Sequence, residues 1–149
     1  MLYEVRLAYQ RAGFARILRQ QNTAVLGTCF MEIPRCSQVP FAVSEDLRTI
    51  VIITAQNTAK YENMAANPNV SLLVAAPAAE EATLQALTVT VFVVKPKGAR
   101  KSQAMALFIR KHPELRTTAS SPDTALVELK VDRYGLIADF QEKTCVSLG

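Results

Sequence analysis

The sequence predicts a mainly β domain: an antiparallel sheet or closed barrel with helices inserted between strands. Three observations carry that prediction. Six or seven runs rich in Val, Ile, Thr and Phe recur along the chain, the residue types that fit a pleated, half-buried surface. Most connections between them are short. The three helical stretches do not alternate one-for-one with strands, as a parallel βαβ sheet would require. With 149 residues, half of them hydrophobic, one domain with its own core is expected. It divides into a helical segment over 1–21 and a barrel over 22–149, with helices near 58–66 and 100–111.

Residues 2–20 read as helical, because Leu7, Phe14, Ile17 and Leu18 share a stripe with arginines opposite. Gly13 is expected to divide that helix. Thr23–Met31 is the first strand. Pro34 breaks the pattern, and Gln38–Ser44 resumes an extended run. Pro40 has no amide to give to a ladder, so it marks an edge, a bulge or a place beside a ligand. Glu45-Asp46-Leu47 has turn character, and Arg48–Thr54 is the clearest strand. Asn57 or Thr58 can cap a helix over Ala59–Ala66, which Asn67-Pro68 stops. Val70–Ala75 is a strand, Pro77–Thr83 a small-residue acidic loop and Leu84–Val94 a long strand. Lys95–Gly98 turns into a helix over Arg100–Lys111, buried through Ala104, Met105, Leu107 and Phe108 and ended by His112-Pro113. Leu115–Asp123 reads as a loop. Ala125–Val131 and Leu136–Phe140 read as two final strands joined at Tyr134-Gly135.

Composition removes several classes of function. One histidine excludes a multi-histidine metal site or a histidine relay, and no metal site is expected. Cys29, Cys36 and Cys145 form no C-x-x-C pair and are odd in number, which points to reduced thiols used as small core residues in a cytoplasmic protein. The first twenty residues carry Glu4, Arg6, Arg11, Arg16 and Arg19, unlike a signal peptide, and no apolar run is long enough to span a membrane. The net charge of +4 is spread among interleaved acids. Its one cluster, Lys95, Lys97, Arg100 and Lys101 with Arg110 and Lys111 beyond, reads as a solvated face, which argues against nucleic acid as partner.

No nucleophile elbow, phosphate loop, dinucleotide fingerprint or HExxH is present, so an enzyme built on this chain would take its hard chemistry from a cofactor. The best candidate site is 53–63, where a strand runs into the start of a helix. Helix-start amides bind anions, and Thr54 and Thr58 add hydroxyls. Lys60 in the first turn opposes the helix dipole, a local conflict that an anion between them resolves. A capping threonine beside an ordinary surface lysine reads the same residues equally well.

The order of these pieces resembles one family. Pro34-Arg35-Cys36-Ser37-Gln38-Val39-Pro40-Phe41, the strand Thr49–Thr54, Thr58-x-Lys60 and Asn67-Pro68-Asn69-Val70-Ser71-Leu72-Leu73 are similar to the FMN-binding split barrel of the pyridoxamine 5'-phosphate oxidase-like superfamily. The branch most resembled contains general stress and haem-utilisation proteins. The likeness implies a six- to seven-stranded antiparallel split β-barrel, a homodimer and FMN at each subunit interface, serving a small-molecule redox substrate. Carried over, the backbone of Val39, Pro40 and Phe41 would line the flavin ring. Ile53 and Thr54 would lie beside the ribityl chain and phosphate, and Thr58 and Lys60 would hold the phosphate. Gln85 would reach the partner subunit's flavin. Gln38 stands where oxidase members place an arginine, Ala59 where they place a second basic residue, and Asn69 where the motif has arginine. The C-terminal Arg and His with which the oxidase binds substrate have no counterpart in Val131–Gly149, which argues against pyridoxamine phosphate oxidation itself. The alternative on the same fold is a non-enzymatic binder of haem or flavin. Haem-degrading relatives take a histidine ligand from a C-terminal extension, whereas His112 here reads as a cap on a helix end.

Overall fold

The structure is a computed structural model and describes residues 2–76, 85–138 and 141–148. The expected loop Pro77–Thr83, Leu84 and the end of the last expected strand at Asp139 and Phe140 lie outside the described residues. The chain runs α1 (Leu2–Gln20), β1 (Thr23–Phe30), β2 (Ile33–Val43), β3 (Thr49–Ala55), α2 (Ala59–Ala66), β4 (Asn69–Ala76) and β5 (Gln85–Val94). It continues through α3 (Ala99–Lys111), a 3-10 turn (Pro113–Leu115), α4 (Arg116–Ser120), β6 (Thr124–Ala138) and β7 (Gln141–Ser147). The sheet order is β3-β2-β1-β4-β5-β6-β7, and β3 also pairs with β6. Six antiparallel strands therefore close into a barrel, and β7 extends it from the free edge of β6. The split-barrel expectation holds.

Alternation along the strands decides what faces inward. Leu26, Val39, Phe41, Ile50, Ile52, Leu72, Leu87 and Leu129 are buried in one core. Phe14, Ile17 and Leu18 of α1 and Met64 of α2 enter the same core, and the Phe14 ring lies 5.5 Å from that of Tyr134. Each fully buried aromatic or aliphatic side chain contributes about 1.5–3 kcal/mol. A second cluster lies outside the wall: Ala104 and Phe108 of α3 and Ala119 of α4 cover Ala42, Val51 and Ile53. Met105 and Leu107, expected to be buried, only pack partly against it.

Several sequence expectations are corrected. Gly13 does not divide α1, which is continuous. Pro34 lies inside β2, opposite Cys29. The expected loop over Leu115–Asp123 contains the end of the 3-10 turn and all of α4. The two final strands are one: Tyr134 and Gly135 sit mid-strand in β6, opposite Val89 and Thr88. The register shift between Thr90 and Val91 leaves Asp132 as an extra residue, which bends β6 instead of ending it. β7, with the polar sequence QEKTCVS, was not expected, and among its described side chains only Val146 is buried. The cysteines are not core residues. Cys36 and Cys145 are exposed and Cys29 is half-buried, because each falls on the outward phase of its strand or at its frayed end.

Candidate functional site

β2 is eleven residues long, but only Phe41, Ala42 and Val43 pair with β3, opposite Ile52, Val51 and Ile50. Strand phase explains where this ladder stops. The Phe41 amide donates to Asn22 O and the Ser44 amide to Thr49 O. Even-numbered residues of β2 therefore turn their amides toward β3. The next pair would join Pro40 to Ile53 through two hydrogen bonds, and Pro40 has no hydrogen to donate. The ladder ends there, and the wall parts between Gln38–Pro40 on one side and Ile53–Thr54 on the other. Pro34 has the same phase and turns its nitrogen to the same free edge.

The turn that follows β3 forms one lip of this split. The Thr58 side chain caps α2: its Oγ1 accepts from Tyr61 N at 3.4 Å and donates to Ala55 O at 2.7 Å. Thr54, 5% exposed, places its Oγ1 3.2 Å from that of Thr58. Both hydroxyls thus serve the turn itself. The groups left for an anion are the amides of Ala59 and Lys60, which have no acceptor inside the helix, and the Lys60 ammonium. Lys60 makes no ion pair among the described residues. Asn63 and Asn67 fix α2 to β1 by donating to Thr28 Oγ1 and Cys29 O, both at 3.2 Å.

The structure brings most of the expected residues to this split, but not all in the expected way. Val39 and Phe41 point their side chains into the core, so only their backbone borders the gap. Pro40 and the exposed Gln38, whose Nε2 donates to Thr23 Oγ1 at 3.2 Å, face outward. The Ile53 side chain turns away, beneath α3 and α4. Gln85 is not near the others within one chain. Gln38 aligns through Val25 and Leu73 with Thr88, three strands away, and Gln85 lies three residues further along β5, which places it roughly 17 Å from Gln38 at the usual strand spacing and rise. Gln85 instead lines a cavity of about 420 Å³ with Phe14, Ile17 and Leu136.

Two residues that shape the site escape the sequence reading. His112 is not merely a helix cap. Its backbone closes α3, while its ring, 3% exposed, lies 2.8 Å from Phe41 O through Nε2 and stacks 4.8 Å from Phe108. Glu114 sits 3.5 Å from Nδ1. Lys111 is no solvated helix-face cation either. Its ammonium donates to Leu18 O at 2.9 Å and to Gln21 O, and lies 3.9 Å above the Phe41 ring. Burial pulls its pKa down to about 8. The one signal in the sequence was the Lys-His-Pro step itself, which marks a helix end but not what the helix end touches. Among the described residues, no three His, Cys, Asp or Glu side chains gather as a metal site, and no helix is long and apolar enough to cross a membrane.

Residues 12–138 match the family described as pyridoxamine 5'-phosphate oxidase. No curated protein matches the sequence. The fold is similar to that of a haem-binding protein from Mycobacterium smegmatis, with 20% identity and a TM-score of 0.75 over 90% of this chain and 55% of that one. It is similar to General Stress Protein 26 from Bacillus anthracis, with 19% identity and a TM-score of 0.68 over 90% and 95%. A FAD-binding protein from Mesorhizobium loti gives 13% identity and a TM-score of 0.67 over 82% and 89%. The chain thus spans little more than half the length of the mycobacterial protein.

Proposed function

The chain belongs to the pyridoxamine 5'-phosphate oxidase family, and from that premise we propose that it is an FMN-binding oxidoreductase. It works as a homodimer with flavin at the subunit interface and a small-molecule redox substrate. The observation that carries this reading is the opening of the barrel wall at Pro40 beside the start of α2. The gap offers backbone and a proline ring to a flat apolar group, and two free amides with one ammonium to a phosphate. Bound there, the flavin would supply hydride or electron transfer. The chain's own residues bind and orient: Lys60 with the Ala59 and Lys60 amides at the phosphate, and Val39–Phe41 along the ring. His112 and Lys111 hold Phe41 in place from behind. Gln85, distant within its own chain, meets the site only if a partner subunit brings it there.

The outer face of β1, β4 and β5 suits that partner. Val25 and Leu73 are direct neighbours in the ladder and remain 38% and 39% exposed, with Phe92 at 48% on β5. Gly27 belongs to the same face, where a Cβ would meet Ser71 Oγ at 2.9 Å. A flat face with apolar side chains left in water is the form of an interface.

The visible spectrum of the purified protein, before and after FMN is added, is the direct test. A flavin band that persists through gel filtration supports the reading; protein that stays colourless and takes up no FMN overturns it. Lys60→Ala should weaken FMN by about 10- to 100-fold, the span expected of a lost charged hydrogen bond. The second reading, a haem binder of the same fold, draws on the likeness to the mycobacterial haem-binding protein. Against it, His112 is committed to Phe41 O. A haem spectrum that Lys60→Ala leaves unchanged would favour it.

A further inference from the structure

Charge is distributed along this chain more unevenly than the net +4 suggests. From Ala82 to Pro113 there is no Asp or Glu, while six cations fall there: Lys95, Lys97, Arg100, Lys101, Arg110 and Lys111. The remaining eleven Lys and Arg are outnumbered by thirteen acids. The fold then removes two of the six. Arg100 is held by the buried Glu128 carboxylate in a two-pronged pair at 2.7–3.0 Å, and Lys111 is turned into the end of α1. Both contacts, with Ala104, Phe108 and His112, fasten α3 to the barrel. What α3 presents outward is a shallow groove of about 740 Å³ shared with α4. The exposed Lys101, Arg110 and Arg116 line it at its edge, and the half-buried Met105 and Ile109 lie between them with Pro113 beside them. None of the three rim cations has an ion-pair partner among the described residues. Glu114, the nearest carboxylate in sequence, is turned to His112.

We propose that this groove docks an acidic segment of another protein, one that places an apolar side chain against Met105 and Ile109 between carboxylates facing the three rim cations. Charge complementarity selects an acidic partner and brings it in quickly. This apolar pair selects protein over nucleic acid, whose bases would seek an aromatic platform, and no aromatic side chain lines this groove. A second copy of this chain is disfavoured, since an isologous contact would set the same cations against each other. The proposal is independent of the flavin reading.

Titration of the full chain, near physiological ionic strength, with a random glutamate–tyrosine copolymer, poly-L-glutamate and a short DNA duplex tests it. The copolymer should bind, and poly-L-glutamate should bind more weakly because it lacks an anchor. Arg110→Glu and Ile109→Ala should each lower copolymer affinity about tenfold, the loss of one interface hot spot. Lys101→Glu, at the other end of the groove, guards against a folding defect in either, with unchanged circular dichroism as the check. The proposal is overturned if the copolymer does not bind, if DNA binds as tightly, or if none of the three substitutions weakens binding. It is equally overturned if Arg110→Glu alters the oligomeric state with no copolymer present. The FMN spectrum, read separately, reports on the cofactor alone.

Discussion

Pro40 has no amide hydrogen, and its phase on β2 turns that absence toward β3. Pro40→Ala would supply a donor to Ile53 and extend the ladder by one pair. The new hydrogen bond contributes about 1 kcal/mol, and the freer unfolded chain takes back about 0.4–1 kcal/mol. Stability should therefore hardly change, while the gap narrows. The expected outcome is a nearly constant Tm, slowed hydrogen exchange at the new amide and weaker FMN binding. Unchanged flavin affinity alongside a protected amide would separate the split from the cofactor. The sequence alone singled out Pro40 as an edge, a bulge or a ligand contact. Which of the three it is depends on amide phase relative to β3, and phase is set only once the partner strands are in register.

At the scale of elements, α3 is what ties the site to the rest of the barrel. Its C-terminal Lys111 and His112 reach Phe41 of β2 and the last carbonyls of α1. Lys111 has a titratable consequence. Its pKa is about 8 in the fold against 10.5 for an ordinary lysine. Below pH 8 both folded and unfolded chains carry the proton, and the folded one bears the cost of burying it. Between about 8 and 10.5 the unfolded chain binds more protons, so this group's contribution to stability rises with pH. Tyr134, whose pKa burial raises, acts in the opposite sense at higher pH. The difference between wild type and Lys111→Met therefore isolates the effect. Thermal melts from pH 7 to 10.5 should show wild type gaining on the variant, and parallel curves would refute the assignment. The helices α1, α2 and α3 were legible from periodicity and caps, Thr58 above all, whereas α4 was not. Lys111 was not, because a cation in the last turn of a helix looks the same in sequence whether it faces water or a neighbouring helix end.

For the whole molecule, the decisive matter is the exposed strip of Val25 and Leu73. If it joins two subunits, a charge placed there should break the pair and release flavin together. Leu73→Glu lies on the outward phase of β4, where the barrel core does not feel it. The expected result is a monomer by sedimentation, a Tm within a few degrees of wild type, and FMN affinity lower by tenfold or more, since Gln85 would no longer be supplied by a partner. A Leu73→Glu protein that stays dimeric, or a monomer that binds FMN as wild type does, rules this interface out.

Local order along the chain determined the strands β1, β3, β4 and β5 and the second half of β2, the span of α2, the Lys60 turn and the membership that the motif from Asn67 to Leu73 announces. Those features rest on neighbours a few residues apart, on side-chain phase and on backbone limits that any chain obeys. Only the tertiary structure decided that Tyr134 lies within a strand, that His112 and Lys111 brace Phe41, that the Thr58 hydroxyl is used up by its own turn, and that Gln85 lies three strands from Gln38. Each depends on which distant segment closes against which. In an antiparallel barrel, that is settled by register across strands, which also sets what the missing hydrogen at Pro40 faces, and register has no pattern along the sequence.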